Sequence, residues 1–214
     1  MSITRNELEH VYWIGGGSGA GKSTVARRLA ARHGLRLYES DRTMAEHARR
    51  SAPKEAPLLS AFMAMDMDER WVSRPPSIML DTFPWFHGEG FDSIVTDLRQ
   101  LPKGPAMIVE GFRLLPRLVE PLLVRRTHAA WLLPSPAFRE AVFERRGGVA
   151  WTFLAKTSDP EKALRNLLER DRLFTDLVRR DAVRLGLPIV ELDTSMTEEE
   201  LEHRVSELFF AAGR

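Results

Sequence analysis

One glycine-rich stretch near the start of the chain constrains its fold more than any other feature. It follows a short apolar run over 11–14 and reads Gly16, Gly17, Ser18, Gly19, Ala20, Gly21, Lys22, Ser23 and Thr24. Its first and last glycines, the lysine and the serine after it occupy the fixed positions of the phosphate-loop pattern G-x-x-x-x-G-K-[ST]. Glycines are required because a Cβ would clash where successive backbone N–H groups turn toward a phosphate. The stretch therefore predicts a loop whose residues together bind the phosphates of a nucleotide.

The flanking residues favour this motif over the alternative of a glycine-rich turn that matches by chance. Segment 23–33 places apolar residues on one helix face and arginines on the other: Val25, Ala26, Leu29 and Ala30 against Arg27, Arg28 and Arg32. A helix that begins at the loop offers unpaired N–H groups and the positive end of its dipole to an anion. We expect Lys22 to reach the β- and γ-phosphates and Ser23 to bind Mg²⁺.

Length and composition narrow the remaining choices. The 214 residues predict a single domain over 1–214, and 43% hydrophobic with 29% charged residues is ordinary for a soluble protein. The absence of cysteine excludes disulfides and thiolate metal sites. A net charge of +1 gives no electrostatic reason to expect a nucleic-acid or membrane partner. A polar start and no apolar run of about 18 residues predict a cytoplasmic protein, while the oligomeric state is not determined.

An acidic residue follows the second predicted strand, which covers 35–39. In a doubly wound sheet, ligands lie beyond the carboxyl ends of the strands, so Asp41 is expected near the phosphates. Two site roles are open: its carboxylate accepts a proton from an attacking hydroxyl, or it holds a water on Mg²⁺. The alternative is a structural one, in which Ser40 or Asp41 caps a helix that runs to Arg50.

A second acid ends the apolar run over 106–109. A continuous apolar strand that ends in Glu110 and Gly111 is typical of a buried parallel strand that brings a carboxylate to the edge of the sheet. In phosphate-loop proteins this is the Walker B position, so we expect Glu110 to organise Mg²⁺ and its waters. Gly111 is expected to let the backbone pass close to a bound ligand. The alternative is a strand-terminal glutamate exposed to water.

Prolines break segment 51–105 into short pieces, with helices predicted over 61–71 and 88–101. Its position between the second and third strands suits an acceptor-binding insert. The segment is rich in aromatic residues: Trp71, Phe83, Trp85, Phe86 and Phe91. These rings either stack on a ring-shaped substrate or form a small core beneath a lid.

The second half of the chain predicts a lid over 145–160 and then a long helix over 160–185. Arg145 and Arg146 directly precede its glycine pair, where arginines can close over phosphates. On the helix, Arg170 and Asp171 interrupt the apolar face, and an unpaired buried charge is costly. They either pair with each other, or Arg170 faces the nucleotide phosphates with Asp171 orienting it. A fifth strand over 187–193 precedes a last helix, which begins at a capping box over 197–200.

This order of elements resembles the P-loop kinases of small metabolites, the nucleoside/nucleotide, shikimate and uridine kinase-like group. The resemblance implies a three-layer α/β/α fold with a parallel sheet of about five strands. It also implies that Arg146 and Arg170 are lid arginines, that Asp41 is a catalytic or substrate-binding acid, and that 51–105 holds the acceptor. Together with Lys22 of the loop, these three residues are the expected catalytic set. The Glu110-Gly111 ending looks like that of the uridine kinase group, and the turn at 193–195 looks like its base-binding turn.

The predicted activity is transfer of the γ-phosphoryl group of ATP, with Mg²⁺, to a hydroxyl of a small molecule. The alternative is a nucleotide hydrolase or switch that acts through a protein partner. A nucleic-acid end kinase is disfavoured because the insert is acidic instead of basic. The sequence identifies no acceptor, and ATP is preferred to GTP only by default.

Overall fold

Five parallel strands form the central sheet of the computed structural model, which describes residues 5–210. The strand order is β2-β3-β1-β4-β5, and every neighbouring pair is parallel. Their bounds are β1 Val11–Gly16, β2 Arg36–Glu39, β3 Met107–Glu110, β4 Ala129–Pro134 and β5 Ile189–Leu192. Helices flank the sheet, and the predicted α/β class and strand number are confirmed.

Helices account for most of the remaining chain between residues 5 and 210. The α-helices are α1 Lys22–His33, α2 Met44–Arg50, α3 Pro57–Ala64, α4 Pro76–Thr82, α5 Pro84–His87, α6 Phe91–Gln100, α7 Pro116–Val119, α8 Pro136–Arg145, α9 Pro160–Leu185 and α10 Glu198–Phe210. Short 3₁₀ turns cover Arg5–Leu8, Glu120–Leu122, Arg126–His128, Gly148–Ala150 and Leu154–Lys156, and a π-helical turn covers Glu69–Ser73. No helix in this range is long and apolar enough to cross a membrane.

The core lies on both faces of the sheet, because successive strand residues point to opposite sides. On one side Trp13, Val109 and Trp131 pack with α9 and the helices of segment 51–105. On the other side Ile14 and Ile108 pack with α1 and α10. Strands buried on both faces need continuous apolar runs, and such runs over 106–109 and 127–133 predict β3 and β4 from the sequence.

The helix predicted over 61–71 is wrong. Helix α3 ends at Ala64, and a new helical segment begins at Met67, directly after Asp66. The Asp66 carboxylate accepts from the Glu69 amide at 2.8 Å, while the Glu69 carboxylate accepts from the Asp66 amide at 3.1 Å. This reciprocal capping box, an acid pair three residues apart, restarts the helix.

Two other helix starts and ends also differ from expectation. Helix α2 begins at Met44 with Thr43 in the cap position, so neither Ser40 nor Asp41 caps it. The apolar segment 114–124, with Pro116 in its first turn, predicts one helix, but α7 spans only Pro116–Val119, because Pro121 lacks the amide that would extend it.

Helix α9 has the predicted bounds, Pro160–Leu185. The Asp159 carboxylate accepts from the Lys162 amide at 2.9 Å, and Gly186 ends the helix in a left-handed conformation. The predicted capping box of α10 is also confirmed, since Thr197 and Glu200 bond each other's amides at 3.2 and 2.8 Å. Both helices therefore have ends fixed by local caps, and α9 approaches the loop at its middle, where Thr175 lies beside Gly17.

Candidate active site

The glycine-rich loop joins β1 to α1 and lines a small pocket of about 150 Å³. Gly16 has a φ of +121°, and a Cβ there would overlap the carbonyl oxygen of Leu132 on β4. The remaining lining residues come from the ends of β2, β3 and α8. The pocket, called here the phosphate pocket, is lined by Ser18, Gly19, Ala20, Gly21, Lys22, Ser23, Thr24, Asp41, Phe112 and Arg146. The structure therefore brings Asp41 and Arg146 to the loop, as the sequence predicted.

Lys22 lies inside the loop with 6% of its surface exposed. Its Nζ donates a hydrogen bond to the carbonyl oxygen of Gly17 at 2.7 Å. Burial lowers the pKa of Lys22, and the nearby carboxylates of Asp41 and Glu110 oppose that effect. The ammonium group is thus held in the loop by a backbone contact, and the charges of two nearby acids favour its protonated form.

Glu110 ends β3 and is 1% exposed, so the alternative of a water-exposed glutamate is wrong. Its Oε1 accepts a hydrogen bond from the Ser23 hydroxyl at 2.9 Å. Its Oε2 is buried without a hydrogen-bond partner within residues 5–210. Burial raises the pKa of Glu110, while the Lys22 charge lowers it in part. A buried carboxylate oxygen beside a hydroxyl is left with free capacity to bind a further group.

The residues around Ser23 and Glu110 fit a magnesium ion bound together with phosphates. Mg²⁺ prefers oxygen ligands, keeps several waters, and is usually held by one or two protein oxygens plus substrate phosphates. The hydroxyl of Ser23 and the unpartnered oxygen of Glu110 are donors of this kind. Within the described range there is no cluster of three or more metal-binding side chains, so a site made of protein ligands alone is not indicated there.

Asp41 lies just beyond β2, where this strand meets the end of β3. The Ser40 amide donates to the Glu110 carbonyl at 2.9 Å, and the Phe112 amide donates to the Asp41 carboxylate. Gly111 makes this meeting possible: its φ is +149°, and a Cβ would overlap Ser40 Oγ and lie 2.8 Å from Asp41 Oδ1. The close approach expected at Gly111 is therefore to the β2 end.

Asp41 is exposed where it lines the phosphate pocket, and protein atoms surround the rest of its side chain. This loss of solvent raises the pKa of Asp41, and the charges of Lys22 and Arg113 lower it in part. A carboxylate with these neighbours can accept a proton and remains within reach of the loop.

A buried polar network behind Asp41 was not found from the sequence. Arg113, 1% exposed, contacts the Nδ1 of His47 at 3.1 Å. Because arginine only donates, that nitrogen accepts, and His47 Nε2 carries the hydrogen donated to Asp97 at 2.8 Å. Tyr38 also donates to Asp97, at 2.6 Å. The only local signal was an arginine within the otherwise apolar run over 111–115.

A cavity of about 360 Å³ opens on the other side of the loop. Most of its lining is aromatic, drawn from the insert, the end of β3, α8, the 145–160 connector and α9. This aromatic cavity is lined by Ser18, Met44, Phe62, Trp71, Phe83, Trp85, Phe86, Phe112, Phe143, Trp151, Phe153, Leu167, Arg170, Asp171 and Phe174. The predicted aromatic cluster is therefore buried and also lines a cavity, except that Phe91 lies in the core and not in the lining.

Arg170 and Asp171 form an ion pair in the lining of the aromatic cavity. Nε and Nη2 of Arg170 donate to the same oxygen, Oδ1 of Asp171, at 3.0 and 2.6 Å. The guanidinium carbon lies 4.6 Å from the ring centre of Phe83 and 5.1 Å from that of Trp71. Both residues are at least nine-tenths buried, yet Arg170 Nη1 and Asp171 Oδ2 have no partner within residues 5–210.

The structure thus places Arg170 differently from the lid role expected of it. Arg170 lines the aromatic cavity and is not among the described residues that line the phosphate pocket. Arg146 does line the phosphate pocket, and its guanidinium lies 5.7 Å from the ring centre of Trp151. Of the two arginines, Arg146 is the one beside the loop.

A third cavity, of about 470 Å³, lies between α8 and α10. This α8–α10 cavity is lined in part by Phe138 and Val142 of α8, and by Thr194 of the turn expected to bind a base. It shares Gly19 and Arg146 with the phosphate pocket, which in turn shares Ser18 and Phe112 with the aromatic cavity. The three cavities are therefore contiguous, with the phosphate loop in the middle.

The fold of this chain is similar to that of a solved structure, the shikimate kinase from Acinetobacter baumannii in complex with shikimate. The TM-score is 0.50 with 14% sequence identity, and the match covers 98% of each chain. At this identity the likeness concerns the fold, for which it confirms the predicted resemblance to P-loop kinases. No family model matches the sequence, and no curated protein matches it either.

Proposed function

We propose that the protein transfers the γ-phosphoryl group of ATP to a hydroxyl of a small molecule. The observation that carries this proposal is the row of three contiguous cavities centred on the phosphate loop. A nucleotide bound at the loop with its base in the α8–α10 cavity would present its terminal phosphate toward the aromatic cavity. A second substrate there would meet that phosphate at Ser18 and Phe112. A protein that only hydrolyses nucleotide has no need of the second cavity.

On the donor side, Lys22 and the loop amides hold the phosphates, as the geometry of a glycine-rich loop before a helix permits. Ser23 and Glu110 would hold a magnesium ion through the hydroxyl and the unpartnered carboxylate oxygen. When bound, such an ion neutralises charge on the phosphates. Arg146, at the border of two cavities, stabilises charge on the transferring group.

On the acceptor side, Asp41 acts as the general base. The acceptor oxygen attacks the γ-phosphorus while its proton passes to the Asp41 carboxylate. The new oxygen–phosphorus bond forms as the bond to the β–γ bridging oxygen breaks, and ADP leaves with that electron pair. The Phe112 amide holds the carboxylate, and the Arg113 charge favours its ionised, proton-accepting form.

The proposal is tested by the stabilisation that Mg·ATP gives. At a concentration 100 times Kd, a ligand adds about 2.7 kcal/mol, which corresponds to a Tm increase of about 5–10 °C for a chain of this size. We expect this shift for the wild type and for Lys103→Ala, an exposed lysine. Lys22→Ala should lose most of it. Equal shifts in all three proteins would exclude the loop as the binding site.

The transfer step is tested separately by release of ADP. Acceptor alcohols of varied structure are screened for those that accelerate ADP release above the rate with water alone. An accelerating alcohol should also appear as its phosphate ester. If ATP is consumed at one rate with every alcohol, the nucleotide-hydrolysing switch replaces the kinase as the better account.

A further inference from the structure

We infer that the aromatic cavity binds an uncharged aromatic alcohol. This inference rests on the proposed function, in which the alcohol is the phosphoryl acceptor. A hydrogen-bonding group of this molecule meets the free atoms of the Arg170–Asp171 pair. Its rings lie among the aromatic side chains, and its hydroxyl lies at the border with the phosphate pocket.

The lining of the cavity selects for rings. Of its fifteen described lining residues ten are aromatic, and Phe86 and Phe174 already stack with ring centres 3.7 Å apart. A polyol or sugar would leave most of its hydroxyls without partners here, and each unpaired buried hydroxyl costs free energy. Flat apolar rings instead gain burial and offset-stacked or edge contacts. At about 360 Å³, the cavity lies within the usual range for small-molecule sites.

The charges in the lining select against a charged ligand. Arg170 and Asp171 are the charged residues that the described lining contains, and they neutralise each other. A bound anion would compete with Asp171 for Arg170 and leave a buried carboxylate unpaired, which is costly. Two nearby arginines do not change this, because Arg74 and Arg139 do not line the cavity and donate to Thr82 and Thr175.

The free atoms of the pair define a polar contact. Nη1 of Arg170 is an unused donor, and Oδ2 of Asp171 is an unused acceptor, both buried. A neutral group that both accepts and donates, such as a primary amide or a phenol, satisfies the two atoms together. Leaving such atoms unpaired inside a protein is destabilising, so a ligand that pairs them gains specificity as well as affinity.

The border with the phosphate pocket fixes where the acceptor hydroxyl lies. Ser18 and Phe112 line both spaces, and the Phe112 amide holds Asp41. The ligand therefore reaches the base, Asp41, only through a hydroxyl on the edge of its ring system that lies nearest Ser18.

The experiment compares matched probes with and without nucleotide. The probes are 6-hydroxymethyl-2-naphthamide, the corresponding 6-hydroxymethyl-2-naphthoic acid, and shikimate as a polar cyclic alcohol. Binding is followed by intrinsic fluorescence, since Trp71, Trp85 and Trp151 line the cavity. We expect the amide to bind at least about tenfold more tightly than either acid. This difference corresponds to the free-energy cost of leaving one buried polar group without a hydrogen-bond partner.

Two variants locate the binding. Phe153→Ala removes a half-buried ring of the lining and should weaken amide binding by about fivefold or more. Phe210→Ala, a matched change at the end of α10, should leave it unchanged. Tighter binding of either acid, no binding of the amide, or equal effects of the two variants would overturn the inference.

The same samples separate this inference from the proposed function. Amide binding without amide-dependent ADP release would support the assignment of the cavity and count against phosphotransfer. A normal Mg·ATP shift with acceptor-dependent ADP release only for charged or sugar-like alcohols would support phosphotransfer and overturn the aromatic acceptor.

Discussion

Among single residues, Asp41 is the one whose replacement separates binding from chemistry. Asp41→Asn keeps the size of the side chain but removes the proton acceptor. We expect kcat with an acceptor to fall by about 10²–10⁴-fold, the usual contribution of a general base, while the Tm shift with Mg·ATP persists. Asp92→Asn, an exposed acid on α6, serves as the control. Full transfer activity in Asp41→Asn would remove Asp41 as the base.

The pH dependence of the reaction is a second prediction at the residue scale. Loss of solvent raises the pKa of Asp41, so the base is protonated, and activity lost, as pH falls through a value above the ordinary pKa of about 3.9. Arg113 lowers that pKa. Arg113→Met should therefore move the acid limb of kcat/KM to higher pH. Arg113→Lys keeps the positive charge and should move the limb less, which separates the effect of the charge from an effect of the substitution on folding. An unchanged limb in both variants would show that Arg113 is not coupled to Asp41.

At the scale of elements, the joint between the ends of β2 and β3 controls the geometry of the site. Gly111→Ala combines a φ of +149° with an overlap on Ser40 Oγ, so it must displace the residue before Asp41. Gly34→Ala tests positive φ alone, because its φ is +63° and nothing lies within 4 Å of its Cβ position. We expect the Gly34 change to cost about 1–2 kcal/mol and the Gly111 change to cost more, with loss of activity only in the latter.

Urea unfolding and kcat measured on the same two variants check this prediction. Equal losses of stability, with activity retained in Gly111→Ala, would mean that the joint tolerates a side chain and that Asp41 does not depend on it.

Elements whose signals are local could be predicted from the sequence. Pro160 and Gly186 mark the two ends of α9, and Thr197 with Glu200 marks the start of α10. The acid pair at Asp66 and Glu69 is also local, but it lies within a segment whose residue pattern predicts one continuous helix. The sequence therefore predicts the boundaries of α9 and the start of α10, but the cap expected at Ser40 or Asp41 is not the one that α2 uses.

The side-chain network of the site could not be predicted in the same way. His47, Asp97 and Arg113 belong to three separate elements and meet only after the sheet and insert have packed. The helical pattern of α9 marks Arg170 and Asp171 as charged residues on an apolar face. Periodicity does not predict which other part of the protein those side chains contact. Their mutual pairing and contact with aromatic rings follow from tertiary packing. The assignments of the insert, the lid and the site roles stay predictions.

At the scale of the whole molecule, strand order explains why distant segments share one site. Because β1 lies between β3 and β4, the loop after β1 adjoins the end of β3, with β2 next to it. Parallel strands place all their carboxyl ends on one edge, so Glu110, Asp41 and the loop converge there. The shape of the aromatic cavity depends instead on the irregular segment 51–105. The short helices of this segment have few local sequence signals that would predict how they pack.

The stability of the whole molecule provides a last prediction, through Glu110. Its raised pKa means that the folded state disfavours the ionised carboxylate. Below the pKa of the unfolded chain, about 4.3, Glu110 is protonated in both states and costs nothing. As pH rises to the higher folded pKa the cost grows, and above it the cost is constant.

Glu110→Gln removes this cost and keeps an oxygen for the Ser23 hydroxyl. We expect the variant to be more stable than the wild type at pH 7 by roughly 0.5–2 kcal/mol, as for single stabilising changes, with little difference near pH 4. Its Mg·ATP-dependent activity should fall, because the proposed metal ligand is lost. Urea unfolding at pH 4, 5.5 and 7 measures the difference, with Glu140→Gln on the exposed side of α8 as the control. A variant less stable than the wild type at pH 7 would show that attraction to Lys22 outweighs the burial of the Glu110 charge.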